Sequence, residues 1–220
     1  MKGFQKMLVL NIIVLLVLVA GGFLGYYYYD QSVNYIKTDN AMIDGQMITI
    51  AAPASGKLTE WKGSVGKTLD SGEKVGTILA APASGSSAPT KVAVTFPQKA
   101  TIVKENAVKD TFVAAGTPLA QAYNMDKLWV TANVDETDID DVQVGQDVDI
   151  YVDAYPNEVL KGKVEQIGLT TAGTFSLLPN NNANGNYTKV TQVIPVKIAI
   201  NGYKGMALKP GMNVSVRIHK

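Results

Sequence analysis

The chain opens on an unbroken apolar run and then changes character. From residue 7 it reads MLVLNIIVLLVLVAGGFLGYYYY, with Asn11 the only strongly polar side chain before the tyrosines. About 23 residues make a helix of roughly 34 Å, enough to cross the hydrocarbon core of a bilayer. Beyond residue 30 helical periodicity is scarce. Short segments alternate apolar and polar positions between Gly, Asn, Asp and Pro, the pattern of half-buried antiparallel strands. The clearest are residues 47–53, 92–97, 128–134, 147–156, 193–200 and 213–219. One short helix is expected at residues 135–144, with acids in its first turn and Gly145 as its stop.

The flanks of the apolar run orient it. Lys2 and Lys6 precede it and Asp30 follows, so the positive-inside rule puts the N-terminus in the cytoplasm. Tyr26, Tyr27, Tyr28 and Tyr29 would form an aromatic belt at the outer interface. The competing reading is a signal peptide cleaved near residues 20–22. The run is long for a signal sequence and the tyrosine cluster behaves as an anchor, which favours an uncleaved span with the remaining chain extracytoplasmic.

The hexapeptide AAPASG occurs at residues 51–56 and again at 80–85, but the sequences that follow the two copies share nothing. A different offset, 44, works better. Pro53, Gly56, Leu58, Leu69, Gly72 and Val75 then fall on Pro97, Ala100, Ile102, Val113, Gly116 and Leu119. Two quasi-equivalent halves of this kind build a flattened antiparallel sandwich of the biotinyl/lipoyl-carrier type, with glycine at the sharp turns. The second AAPASG falls between the halves, in a Pro/Ser/Gly-rich linker at residues 80–91.

Composition removes whole classes of chemistry. The chain has 20 Lys+Arg against 19 Asp+Glu, so no basic surface calls for nucleic acid. It has no cysteine and one histidine, His219, next to last. Disulfides, thiol nucleophiles and Cys/His metal sites are thereby excluded, and a serine hydrolase lacks its base and its G-x-S-x-G turn. No nucleotide-binding motif is present.

The order of anchor, half-motif, insert, half-motif and β-rich segment resembles the membrane fusion proteins, or periplasmic adaptor subunits, of the HlyD type. KTDNAMIDGQMITIAAPASGKL at residues 37–58 is similar to the family's entry strand. Residues 134–167, with G-Q-x-V, D-A-Y-P and G-x-V-x-x-I, are similar to its β-barrel pattern. TFSLLPNNNANGNYTKVTQVIPVKI at residues 174–198 resembles the EmrA-like multidrug-efflux branch, and LKPGMNVSVRI at 208–218 closes the barrel in the family's way. Family members from two-membrane bacteria insert a long α-helical hairpin between the carrier halves. Here that position holds about a dozen small residues without heptads, an ordinary loop length. The resemblance therefore implies an adaptor without an outer-membrane duct partner, in a host with a single membrane.

Sharper chemical readings fare poorly. A biotinyl or lipoyl lysine belongs at the central hairpin. Lys91 is there without the neighbours a ligase reads, and the MDK at residues 125–127 lies at the end of the second half. Asp135, Glu136, Asp138, Asp140 and Asp141 lack the register of an EF-hand. The Asn-rich stretch 180–186 reads as a hairpin tip, and Trp61 and Trp129 as core or interface anchors.

The expectation is a mainly β protein with one N-terminal transmembrane helix, a carrier-like sandwich and a small antiparallel barrel. Its bounds are 1–30 for the stub and anchor, 31–47 for an extended entry segment, 48–126 for the sandwich and 127–220 for the barrel. No catalytic, cofactor or metal residues are assigned. The resemblance implies a non-enzymatic efflux adaptor docked on an integral membrane exporter. A major-facilitator exporter is favoured over an ATP-binding cassette one, and a homo-oligomer is compatible with the role. The alternative is an anchored extracytoplasmic binding or envelope-assembly module with no transporter.

Overall fold

The computed structural model describes residues 2–81, 89–175 and 191–220. The insert at 82–88 and the Asn-rich stretch at 180–186, with most of the EmrA-like motif around it, lie outside the described residues. The chain begins with helix α1 (Lys2–Val33). Twelve strands follow: β1 (Tyr35–Ala51), β2 (Gly56–Trp61), β3 (Thr68–Leu69), β4 (Lys74–Ala80), β5 (Thr90–Thr95), β6 (Ala100–Glu105), β7 (Phe112–Val113), β8 (Pro118–Asp135), β9 (Asp147–Val152), β10 (Val159–Ile167), β11 (Val193–Ile200) and β12 (Asn213–His219). The fold is mainly β, as the alternating pattern predicts.

Two compact units share these elements. One comprises Met1–Ala41, Thr131–Lys204 and Asn213–Lys220; the other Met42–Val130 and Gly205–Met212. The long strands β1 and β8 contribute residues to both.

In the first unit, six strands pair in the order β1-β12-β9-β10-β11-β8, and a β1–β8 pairing closes them into a barrel. Strand alternation fills the interior: Val148, Ile150 and Val152 of β9 and Val214, Val216 and Ile218 of β12 are all buried. The strands expected at 193–200 and 213–219 match β11 and β12. The one expected at 147–156 stops at Val152, where the Tyr155 N–H turns back to the Val152 carbonyl.

The acidic stretch 135–144 does not form the expected helix. It holds a single 3-10 turn, Ile139–Asp141, built on bonds from Asp141 N to Asp138 O and from Val142 N to Ile139 O. The Gln146 side chain accepts from Gln143 N and donates to Asp141 O, and Gly145 N–H is drawn to the Val164 carbonyl. These local side-chain bonds and the tertiary bond to β10 take the backbone groups that an α-turn would use. Likewise, the start of the expected entry segment is helix through Val33, and the chain becomes strand from Tyr35.

The sandwich unit repeats at the offset of 44. Strands β2 and β6, β3 and β7, and β4 and the start of β8 coincide under it, and β5 coincides with the end of β1. One sheet runs β5-β4-β2-β7. The other takes its equivalents from β1, β8, β6 and β3. Each sheet therefore draws strands from both halves. The main-chain bonds between halves are reciprocal: Leu58 N donates to Thr111 O at 2.9 Å and Ile102 N to Lys67 O at 3.0 Å. Gly116 N donates to Ala52 O at 2.8 Å, and Gly72 N to Phe96 O at 2.7 Å. Even the bulges recur, between Leu58 and Glu60 in one half and between Ile102 and Lys104 in the other.

Equivalent side chains meet in one core. Leu58 and Ile102, Leu69 and Val113, and Val75 and Leu119 are buried, and volume is exchanged where Phe96 answers Ala52 and Ile78 answers Ala122. Gly72 and Gly116 hold φ of 80° and 84°, a left-handed turn that a side chain would strain.

Candidate functional site

Three features stand out from the scaffold. The first is α1, whose Leu10–Asp30 segment is long and apolar enough to span a bilayer. Apolar side chains from Leu10 to Leu24 are exposed on every side of this segment, as are Tyr26, Tyr27, Tyr28 and Tyr29. A face that is apolar all round has lipid or another protein as its natural solvent. The helix ends where Asn34 returns both its backbone and its side-chain amide to Asp30.

The second is a polar stack on the outer face of the barrel. Strand register sets Asp149 opposite both Lys161 and Arg217. Although it faces outward, Asp149 is only 9% exposed. Its carboxylate accepts from Lys161 Nζ at 2.5 Å and meets His219 Nε2 at 3.2 Å. Burial pushes this carboxyl up most strongly. The hydrogen bonds and charges of Lys161 and His219 together outweigh it and hold the group below its ordinary value. Lys161 is held above its ordinary value by its hydrogen bond to the same carboxylate, and then by that charge.

Aromatic rings complete the stack. His219 stands edge-on to Tyr35 at 4.9 Å between centroids, and the Arg217 guanidinium lies 5.2 Å from the Tyr35 ring and 5.7 Å from Tyr151. Beside it, Thr38, Asp39, Asn133, Asp135, Tyr151 and Arg217 line a cleft of about 520 Å³. Sequence reasoning missed this stack, because Asp149 and His219 are 70 residues apart, Tyr35 is farther still, and the members meet only through strand register.

The third is a groove in the sandwich unit, beside β6, of about 830 Å³. The residues singled out as chemical candidates do not converge. Lys91 lies on β5 opposite Leu79 and is exposed, and Lys127 is exposed on β8. The acids around Asp138 are mostly exposed, with Asp141 paired to Lys220 at 2.6 Å. Among the described residues no group of three or more His, Asp or Glu side chains could hold a metal ion. Trp61 packs against the sandwich core and donates from Nε1 to Glu105, its own counterpart in the other half, at 2.7 Å.

Known proteins match along the same architecture. Residues 46–124 match the YhbJ barrel-sandwich hybrid domain and residues 128–218 the YknX-like beta-barrel domain. YhbJ of Bacillus subtilis (strain 168), named as a candidate efflux system component, is 45% identical over 222 residues, covering 99% of this chain and 96% of that protein. The chain belongs to the membrane fusion proteins of the EmrA-like branch.

A relative matched over part of its length and solved structures of similar fold agree. The colistin resistance protein EmrA of Acinetobacter baumannii is 41% identical over 111 residues, which are 50% of this chain and 31% of that one. The solved structure of ZneB from Cupriavidus metallidurans superposes with a TM-score of 0.62 at 15% identity, over 85% of this chain and 98% of that one. The membrane fusion protein Spr0693 from Streptococcus pneumoniae R6 gives 0.58 at 14% identity, over 84% and 97%. At such identities these structures establish a shared fold.

Proposed function

We propose that this protein is the membrane-anchored adaptor of an efflux transporter. The observation that carries the reading is identity sustained at 45% across 99% of the chain to an efflux-system protein of the same length class. The family is one of non-enzymatic adaptors, so the chemistry of transport lies with a partner. Helix α1 holds the adaptor beside that partner with its N-terminus in the cytoplasm, as Lys2 and Lys6 and the outer tyrosines favour. The β-units then stand at the transporter's outer mouth, where they support release of drugs or other small molecules. The EmrA-like sequence motif favours a major-facilitator exporter, and a homo-oligomer of adaptors would surround the exit path.

The short insert argues against an arm to a second membrane. Anchoring, reach, sandwich and barrel follow one another along the expected segments 1–30, 31–47, 48–126 and 127–220, with β1 and β8 running through the joins and residues 205–212 grouped with the sandwich unit. Drug accumulation in a strain lacking this gene tests the reading. Restoring the full chain should lower accumulation, a version without residues 1–30 should not, and one without residues 82–89 should perform like the full chain. Unchanged accumulation on loss of the gene would remove the efflux role.

A further inference from the structure

The internal repeat supplies a control for each surface of the sandwich. In the second half, Val103 and Tyr123 join Met42, Val65 and Met125 around the groove, and Leu208 forms part of its other wall. All belong to the one unit. The walls are fixed by main-chain bonds: Ile43 N to Met212 O at 2.8 Å, Gly211 N to Ile43 O at 2.7 Å and Gly66 N to Ile102 O at 2.8 Å. The groove is therefore pre-formed, and these backbone donors are already engaged.

The equivalent face of the first half is built differently. Thr101 and Gly66 correspond to Lys57 and Asp110, which form a salt bridge at 3.0 Å with both side chains more than half exposed. Val103 corresponds to Thr59 and Val65 to Lys109. The same scaffold thus stands with Lys109 in place of Val65 and Thr59 in place of Val103, so packing does not demand these two valines. Val65 is 62% exposed and Met42 45% exposed, and unlike the exposed Val108 and Phe112 they gather with other apolar side chains around one groove.

We propose that this groove is a binding site for an uncharged, apolar small molecule of ring-containing type. Its volume lies in the roughly 300–1,000 Å³ range of small-molecule sites. Met42 and Met125 offer adaptable, polarizable walls that fit varied shapes, and Tyr123 offers a ring face. The charged residues on its lining, Asp44 and Lys209, have opposite signs, so neither a cation nor an anion is preferred. The site is independent of whether the adaptor reading holds.

The full chain in lipid nanodiscs is photolysed with 3-trifluoromethyl-3-phenyldiazirine, and labelled peptides are mapped by mass spectrometry. Saturable labelling of the peptides carrying Met42, Tyr123 and Met125 is expected, with none on those carrying Lys57 and Lys109; label on α1 reports the bilayer pool. Placing a charge pair on the groove wall with Val65→Glu and Thr101→Lys should cut groove labelling at least tenfold while α1 labelling and thermal unfolding stay unchanged. Should the double variant misfold, Val65→Glu alone, at an exposed site, should cut it at least threefold. Groove labelling that does not saturate, equals that of the Lys57 face, or survives the substitutions would overturn the proposal.

Discussion

The two halves of the sandwich share a backbone plan and differ in what they show to solvent. Turn glycines, bulges and interlocking hydrogen bonds recur at the offset of 44, while one outer face carries the Lys57–Asp110 pair and the other an apolar groove. Core positions answer to packing, and their equivalents stay apolar. Surface positions answer to use, and there the halves diverge.

Substitutions rank by how deeply they cut into the shared plan. Phe96→Ala should cost about 3–5 kcal/mol, because Phe96 fills volume that its counterpart Ala52 leaves. Leu58→Ala and Ile102→Ala should each cost about 3 kcal/mol and match one another within ~1 kcal/mol, since both side chains are fully buried at equivalent places. A large disparity in their denaturant midpoints would break the equivalence of the halves. Gly72→Ala and Gly116→Ala should each cost about 1–2 kcal/mol through left-handed backbone strain.

The barrel provides a contrast based on charge. Because Asp149 is held below its ordinary value, it stabilises the folded state above the normal carboxylate range, and that contribution disappears as pH falls through its folded value. Asp149→Asn should lower stability by about 1 kcal/mol near neutrality and remove that acid-side slope in thermal melts taken across pH. At the bottom of the series, Lys57→Ala should leave the melting temperature where it was, since the pair it breaks is exposed.

The repeat was legible because the residues that enforce it are of recognisable kinds. Glycine is required at Gly72 and Gly116, and apolar side chains at Leu58, Ile102, Val75 and Leu119. The barrel strands β11 and β12 were legible from alternation alone. The acids at 135–141 suggested a helix start, but Gln146 and β10 claimed the backbone groups instead. The Asp149–His219 stack and the groove escaped notice for a common reason. Each joins residues from distant strands, and no local pattern states which strands become neighbours.

The central claim is that this chain works against a transporter. Affinity purification of the tagged full chain from its native membranes, after mild cross-linking, tests it most directly. The account predicts a multi-span exporter of the major-facilitator type among the cross-linked partners, lost when residues 1–30 are replaced by an unrelated anchor. Recovery of envelope enzymes alone, with no multi-span transporter, would contradict it.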